Sequence, residues 1–385
     1  MSLRDRTAIV GIGQTEYAKV LPMSELKMAC VAIKAALDDC GIAPGEVDGL
    51  ASFTMEQNVE VEVARNLGMG DITWFSQVGF GGGAACGVVG QAAMAVATGQ
   101  ASVVVAWRSR KRGAATNRPW AQVRDRVPGP AQWSRPFGLL RPVDEIAMLT
   151  RRYMHEYGAT RDHLANVALA ARKHANRNPA ATMHDKPMTR ESYMESRWVS
   201  EPLCLFDNCL ETDGAVAAVV VSAERARDLP HRPALIHSFA QGINPQHQTM
   251  TNYHRDDPLR GPGWACARLL WQRADFGPGE VKVAQLYDAF SPLVLLSLEA
   301  YGFCSRGEGG PFTEGGAIEW PHGRLPVNTS GAGMSEAYVH GFNLVAEGVR
   351  QIRGTSTCQV EGADTSLVTS GEGVPTSALL LRAPS

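Results

Sequence analysis

The stretch that decides the fold is Gly79-Phe80-Gly81-Gly82-Gly83, then Ala84-Ala85-Cys86-Gly87-Val88-Val89-Gly90-Gln91-Ala92-Ala93-Met94-Ala95-Val96-Ala97-Thr98-Gly99, then Val103-Val104-Val105-Ala106-Trp107. The middle run is built from Ala, Val, Gly, Cys and Met on every side. A helix that is apolar all round is a buried helix, and its small side chains let neighbouring layers approach closely. The run that follows is apolar on both faces, as a central parallel strand reads. A glycine turn, a buried helix and a buried strand in succession define an α/β protein.

Working outward, Thr7 to Gly13 reads as a strand. Leu26, Cys30, Ile33, Leu37 and Cys40 recur at helical spacing until Gly41 and Pro44 stop the helix. Helical patterns run over Val143–Tyr157 and Arg161–Asn176, and Ala217–Val221 is another buried strand. Near residue 232 the pattern restarts. Ala234–Ile236 is a strand, Leu259–Trp271 a helix, Val281–Leu286 a strand, Pro292–Tyr301 and Leu344–Ile352 helices, and Ser377–Leu381 a final strand. Two halves of similar element order therefore meet near residue 232: 1–231, with an excursion at about 108–200, and 232–385.

Composition bounds the function. The chain has 385 residues, 44% hydrophobic and 20% charged, with a net charge of −2. At roughly 150 residues per domain this is two or three units, and the near-zero charge argues against a nucleic-acid binder. No apolar run reaches the roughly 20 residues that span a bilayer, and no signal-peptide pattern opens the chain, so a cytoplasmic location is expected. The eight cysteines include no Cys-x-x-Cys pair, so no zinc site is expected in the chain and the thiols read as small buried hydrophobes. Residues 108–142 are rich in Arg and Lys (Arg108, Arg110, Lys111, Arg112, Arg118, Arg124, Arg126, Arg135, Arg141), interleaved with Trp120 and Trp133. Two readings stand for this segment: a solvated or subunit-contacting loop, or a holder of an anionic ligand such as a CoA phosphate.

Several motifs, in this order and spacing, resemble the thiolase superfamily, in its sterol-carrier-protein X or lipid-transfer-protein-like branch. They are Gly11-Ile12-Gly13-Gln14-Thr15, the glycine turn at 79–83, Cys209-Leu210-Glu211-Thr212-Asp213-Gly214-Ala215, Tyr287-Asp288-Ala289-Phe290, Asn328-Thr329-Ser330-Gly331 and Ser370-Gly371-Glu372-Gly373. The resemblance implies a five-layer α-β-α-β-α fold of two similar halves, a homodimer core and action on CoA thioesters.

A thiolase needs a nucleophilic Cys, a His to activate it and a second Cys to move a proton. The resemblance places the nucleophile at Gly82, which has no side chain. Cys86, one turn further in, reads as a packed core thiol. Val368-Thr369-Ser370 stands where the second Cys belongs. The Asn-Glu motif is replaced by Tyr287-Asp288, and the Gly-His-Pro-x-Gly motif by Ala337-Tyr338-Val339-His340-Gly341. Both cysteines and the aligned His are missing together while two tyrosines appear at catalytic positions.

This pattern resembles the steroid side-chain-cleaving aldolases of the same branch. It implies retro-aldol cleavage of a 17-hydroxy steroid side-chain β-hydroxyacyl-CoA to a 17-keto steroid and a short acyl-CoA such as propionyl-CoA. That reaction needs no covalent intermediate, only a base for the β-hydroxyl proton, donors for the thioester enolate and an acid to protonate it. Tyr287 and Tyr338 are the candidate acid/base pair, in either order, against the alternative that each packs and donates one structural hydrogen bond. His340 and Asp288 are the nearest residues in sequence to relay to them, although either one also reads as a brace for its loop. Gly82, Tyr253 and the backbone N–H groups around Gly371 are candidates for contacting substrate. The resemblance further implies an OB-fold partner of zinc-ribbon type, so that zinc belongs to the partner and the chain itself holds no cofactor. Two other functions remain open at this level: an acyltransferase with an unusual nucleophile, for which Cys86 must be accessible, and a non-catalytic sterol or acyl-CoA binder.

Overall fold

The computed structural model describes residues 3–114, 126–127, 129–246, 250, 252–253 and 255–384. Arg118, Trp120 and Arg124 of the basic segment lie outside them. The strands are β1 (Thr7–Gln14), β2 (Gly49–Phe53), β3 (Trp74–Val78), β4 (Val103–Arg110), β5 (Trp198–Ser200), β6 (Leu203–Cys204), β7 (Gly214–Ser222), β8 (Ala234–Gly242), β9 (Val283–Gln285), β10 (Thr365–Thr369) and β11 (Thr376–Arg382). Nine of them hydrogen-bond in the order β3-β2-β4-β7-β1-β8-β11-β10-β9, and β5-β6 form a separate hairpin.

The long ladder consists of two half-sheets. β1 pairs with β7 along nearly its whole length, but with β8 only through Ala8↔Leu235 and Ile9↔Ala234. Strands before residue 223 form one half-sheet and strands after 233 form the other. The helices Ala85–Ala97 and Phe342–Arg353 each touch strands of both half-sheets, so they form the layer between them. The helix Glu25–Cys40 covers β1, β4 and β7 from outside, and Gly263–Arg273 covers β8 and β11. This is a five-layer α-β-α-β-α arrangement.

Local chemistry places these layers. Ser24 caps the helix Glu25–Cys40 by accepting from Lys27 N–H at 3.1 Å, and Gly41 ends it in the left-handed conformation at φ 70°. In the helix Ala85–Ala97 a Cβ at position 90 would fall 2.2 Å from the Phe239 ring of β8. Only glycine lets helix and sheet come that close.

Two expected elements differ. The helix expected from Leu259 begins at Gly263, because Asp257–Pro262 forms turns first. More consequentially, β4 does not stop at Trp107. It continues through Arg108, Ser109 and Arg110, paired with Val216, Ala215 and Gly214 of β7. Arg108, Arg110 and Arg112 are 0%, 4% and 9% exposed, so the solvated or subunit-contacting reading fails for these three residues. No helix among the described residues is long and apolar enough to cross a membrane.

Candidate active site

The alternation of β4 sets the site's electrostatics. Val103, Val105 and Trp107 join the core under the helix Glu25–Cys40. Val104 and Ala106 join the core that holds the middle helices, Tyr287 and Tyr338. Arg108 and Arg110 continue that second face, and Arg112 follows, so the row of guanidiniums runs toward the two tyrosines. The Arg112 guanidinium lies 5.3 Å from the Tyr338 ring centroid.

Tyr287 follows β9, where Leu286 N–H donates to Asn328 Oδ1 at 2.7 Å and Tyr287 N–H to Thr369 Oγ1 at 3.1 Å. Tyr338 follows a wide π-turn at Ala332–Glu336, and its N–H donates to Thr212 Oγ1 at 3.0 Å. The Cys209–Thr212 segment ties the two loops together: Cys209 N–H donates to the Ala289 carbonyl and Leu210 N–H to the Gly333 carbonyl, both at 2.9 Å. The result is a Tyr287 Oη–Tyr338 Oη hydrogen bond of 2.5 Å, both rings buried.

Gly82, at the head of the middle helix, makes this possible. A Cβ there would lie 1.8 Å from Tyr287 Oη. The Tyr287 ring fills the space that a side chain on residue 82 would need. Gly341 and Gly371 wall the same ring, with hypothetical Cβ contacts of 2.8 and 3.1 Å.

Burial pushes both phenols up. Tyr338 rises to about 12, held back by the Arg112 and Arg110 charges and by the hydrogen bond from Tyr287. Tyr287 rises well above the ordinary value, through burial and through Tyr338. Either hydroxyl can be the donor in the pair, and the Arg112 charge beside the Tyr338 ring favours the ionised form of Tyr338.

The other candidates are placed as follows. Asp288 accepts from Gly333 N–H (2.8 Å) and Met334 N–H (3.0 Å), bracing the turn before Tyr338, and burial lifts it to about 7. His340 packs edge-on against Tyr338, ring centroids 5.4 Å apart. Gly371 N–H donates to the Gly82 carbonyl at 3.3 Å, which occupies the donor expected to face substrate. Tyr253 donates to the Glu145 carbonyl at 2.8 Å and so sits against the helix Pro142–Tyr157. Cys86 is fully buried; its N–H donates to Ser370 Oγ at 3.0 Å, and burial pushes its thiol up to about 12. The accessible Cys86 that an acyltransferase of that kind requires is not present. Sequence reasoning misses Arg112 and Cys209 as site residues. The spacing 108, 110, 112 is the signal that could find the first of them, since period two marks one face of an extended chain.

The chain matches the thiolase N-terminal domain over residues 5–224 and the thiolase C-terminal domain-like family over 246–381. It belongs to the thiolase family. Among its relatives, a 17-hydroxy-3-oxo-4-pregnene-20-carboxyl-CoA lyase of Mycobacterium tuberculosis is 48% identical over 388 residues, covering 98% of this chain and 100% of the relative. A steroid side-chain-cleaving aldolase of Thermomonospora curvata is 48% identical over 382 residues, covering 98% and 97%. A solved structure of an Ltp2-ChsH2(DUF35) aldolase superposes with a TM-score of 0.94 at 48% identity, covering 99% of this chain and 98% of that one.

Proposed function

We propose that this chain is a carbon–carbon lyase cleaving a 17-hydroxy steroid side-chain acyl-CoA by a retro-aldol reaction. The products are a 17-keto steroid and a short acyl-CoA such as propionyl-CoA. The observation that carries the reading is Tyr287 standing where a nucleophile on residue 82 would stand, with its hydroxyl 2.5 Å from Tyr338. The site has lost the place for an acyl-enzyme and gained a proton-transfer pair.

Tyr338 is the base: the Arg112 charge beside its ring favours its phenolate, which then accepts from Tyr287. It takes the proton of the tertiary hydroxyl. The carbon–carbon bond breaks, its electron pair becomes the thioester enolate, and the former carbinol carbon becomes a ketone. The proton then returns through the Tyr338–Tyr287 bond to the enolate carbon. Positioned acid–base groups of this kind contribute roughly 10²–10⁴-fold.

The assembly is part of the same proposal. Its basis for a homodimer is β3, a sheet-edge strand with an unpaired side that exposes Phe75, followed by an exposed Phe80. A DUF35 protein accompanies the solved relative, and we assign this chain an OB-fold partner of that kind, any zinc being the partner's. Among the described residues, no group of three or more His, Cys, Asp or Glu is placed to hold a metal. We place the complex in the cytoplasm.

The test is a product assay with the partner co-expressed. Wild type should release 17-keto steroid and short acyl-CoA. Tyr338→Phe should lose about 10²–10⁴-fold in kcat, and Tyr287→Phe somewhat less, since Tyr338 keeps its own hydroxyl. Wild type that binds the thioesters without cleaving any of them would overturn the reading.

A further inference from the structure

His340 has a hydrogen-bond environment that fixes its chemistry. Arg108 Nε and Nη2 both donate to its Nδ1, at 3.2 and 2.9 Å. A guanidinium has no acceptor and does not lose its proton. Nδ1 must therefore offer its lone pair, and the imidazole is the neutral Nε2–H tautomer.

Arg108 is itself locked. It is fully buried, its Nη1 donates to Glu56 Oε1 at 2.6 Å, and its guanidinium lies 4.7 Å from the Phe53 ring centroid. Glu56 in turn accepts from Ser109 N–H (3.1 Å) and Asn58 Nδ2 (2.9 Å), and Asn58 accepts from Trp107 Nε1 at 2.9 Å. A buried ion pair contributes little net stability, and desolvating it is expensive. The arrangement holds one ring nitrogen in one state.

The other nitrogen is spare. Among the described residues, Nε2 of His340 makes no hydrogen bond, and the residue sits at φ 51°, a left-handed backbone uncommon outside glycine that histidine adopts more readily than most residues. Strain of this kind persists where the surroundings over-determine it. Burial first, and then the Arg112, Arg108 and Arg110 charges, oppose a second proton on the ring. What remains is a fixed, neutral N–H beside Tyr338. In a β-hydroxy thioester the hydroxyl and the thioester oxygen lie only four bonds apart. A donor adjoining the base that serves the hydroxyl is where the enolate oxygen needs one.

We propose that His340 donates Nε2–H to the thioester oxygen as it becomes an enolate, with Arg108 and Glu56 as positioning residues that fix the tautomer. The assignment rests on the aldolase reading. A wild type without cleavage would fail that reading, whereas the variants below are compared with an active wild type.

A glutamine amide reaches the place of Nε2, whereas an asparagine amide reaches only that of Nδ1 and tolerates the left-handed backbone. His340→Gln should retain kcat within about tenfold. His340→Asn should lose about 10²–10³-fold in kcat with KM little changed, as removal of an oxyanion donor does, and equally at every pH from about 6 to 9. Asparagine equal to or better than glutamine would show that only the Nδ1–Arg108 bond matters, and would overturn the proposal. So would a loss confined to KM, or one that removes a limb of the pH profile. The ¹⁵N spectrum of labelled wild type, with His340 assigned from the variants, supplies a readout independent of turnover. An unprotonated Nδ1 that does not titrate between about pH 6 and 8 supports the proposal. A protonated Nδ1 or a titrating ring overturns it.

Discussion

A Cβ on residue 82 would overlap Tyr287 Oη at 1.8 Å, so the smallest possible side chain there displaces the ring that donates to the base. Gly82→Ala should keep the fold and lose about 10²-fold or more in kcat, read by steady-state assay beside a circular dichroism spectrum. Gly82→Cys should fail to restore an acyl-enzyme, with no thioester adduct by mass spectrometry, because the thiol is wedged against the displaced Tyr287 ring. The pair also sets a pH dependence. Burial holds Tyr338 near 12, so below that value each pH unit raises its ionised fraction about tenfold. The value of kcat/KM should climb from pH 7 to 10 in wild type, and the residual rate of Tyr338→Phe should not follow that climb.

Elements with long apolar runs are legible in the amino-acid sequence. β1, the buried helix Ala85–Ala97, β7 and β11 all fall where their sequences place them. β2, β3 and β10 are not legible, being five residues each with Ser, Thr or Gly among them, too short for periodicity to stand out. The arginines of β4 mislead for a different reason. Composition reads Arg as solvated, but pairing with β7 carries the strand two turns of the pleat past its apolar run, and Glu56 and Glu25 receive the charges inside. Of the site, the missing cysteines point to the two tyrosines, which the structure brings together; the place of Arg112 beside Tyr338 is not legible, because it depends on how far β4 runs. The packing of Ala85–Ala97 on β8 gives a prediction at this scale. Gly90→Ala drives a methyl into the Phe239 ring and should cost about 1–3 kcal/mol by denaturant melt.

Across the whole molecule, several carboxyls are deeply buried; Glu336 has Arg350 Nη1 4.0 Å away, and burial still lifts it. Burial lifts Glu372 to about 8, and Asp288 and Glu336 to about 7. Among the described residues, Glu372 Oε1 has no hydrogen-bond partner. A folded value above the unfolded one of about 4.5 means that the unfolded chain releases its proton first as pH rises. The contribution to stability is thus fully present below about pH 4.5 and lost by about pH 8. Glu372→Gln removes this titration. Its Tm should draw ahead of wild type between pH 5 and 8 and stay ahead by a constant margin above that, as measured by calorimetry across pH.

The narrow seam between the half-sheets has a consequence for how the chain is made. β1 leaves the ribosome long before the strands it pairs with: Ile9 finds its partners only when Val220 and Ala234 have followed it. The middle helix Ala85–Ala97 has to be covered on one side by β8 and β11, which come later still. The first half's middle helix is not covered until strands of the second half have been made, so the growing chain carries an open edge in the meantime. Split at residue 231, the two pieces should aggregate when expressed singly and assemble into folded protein when expressed together.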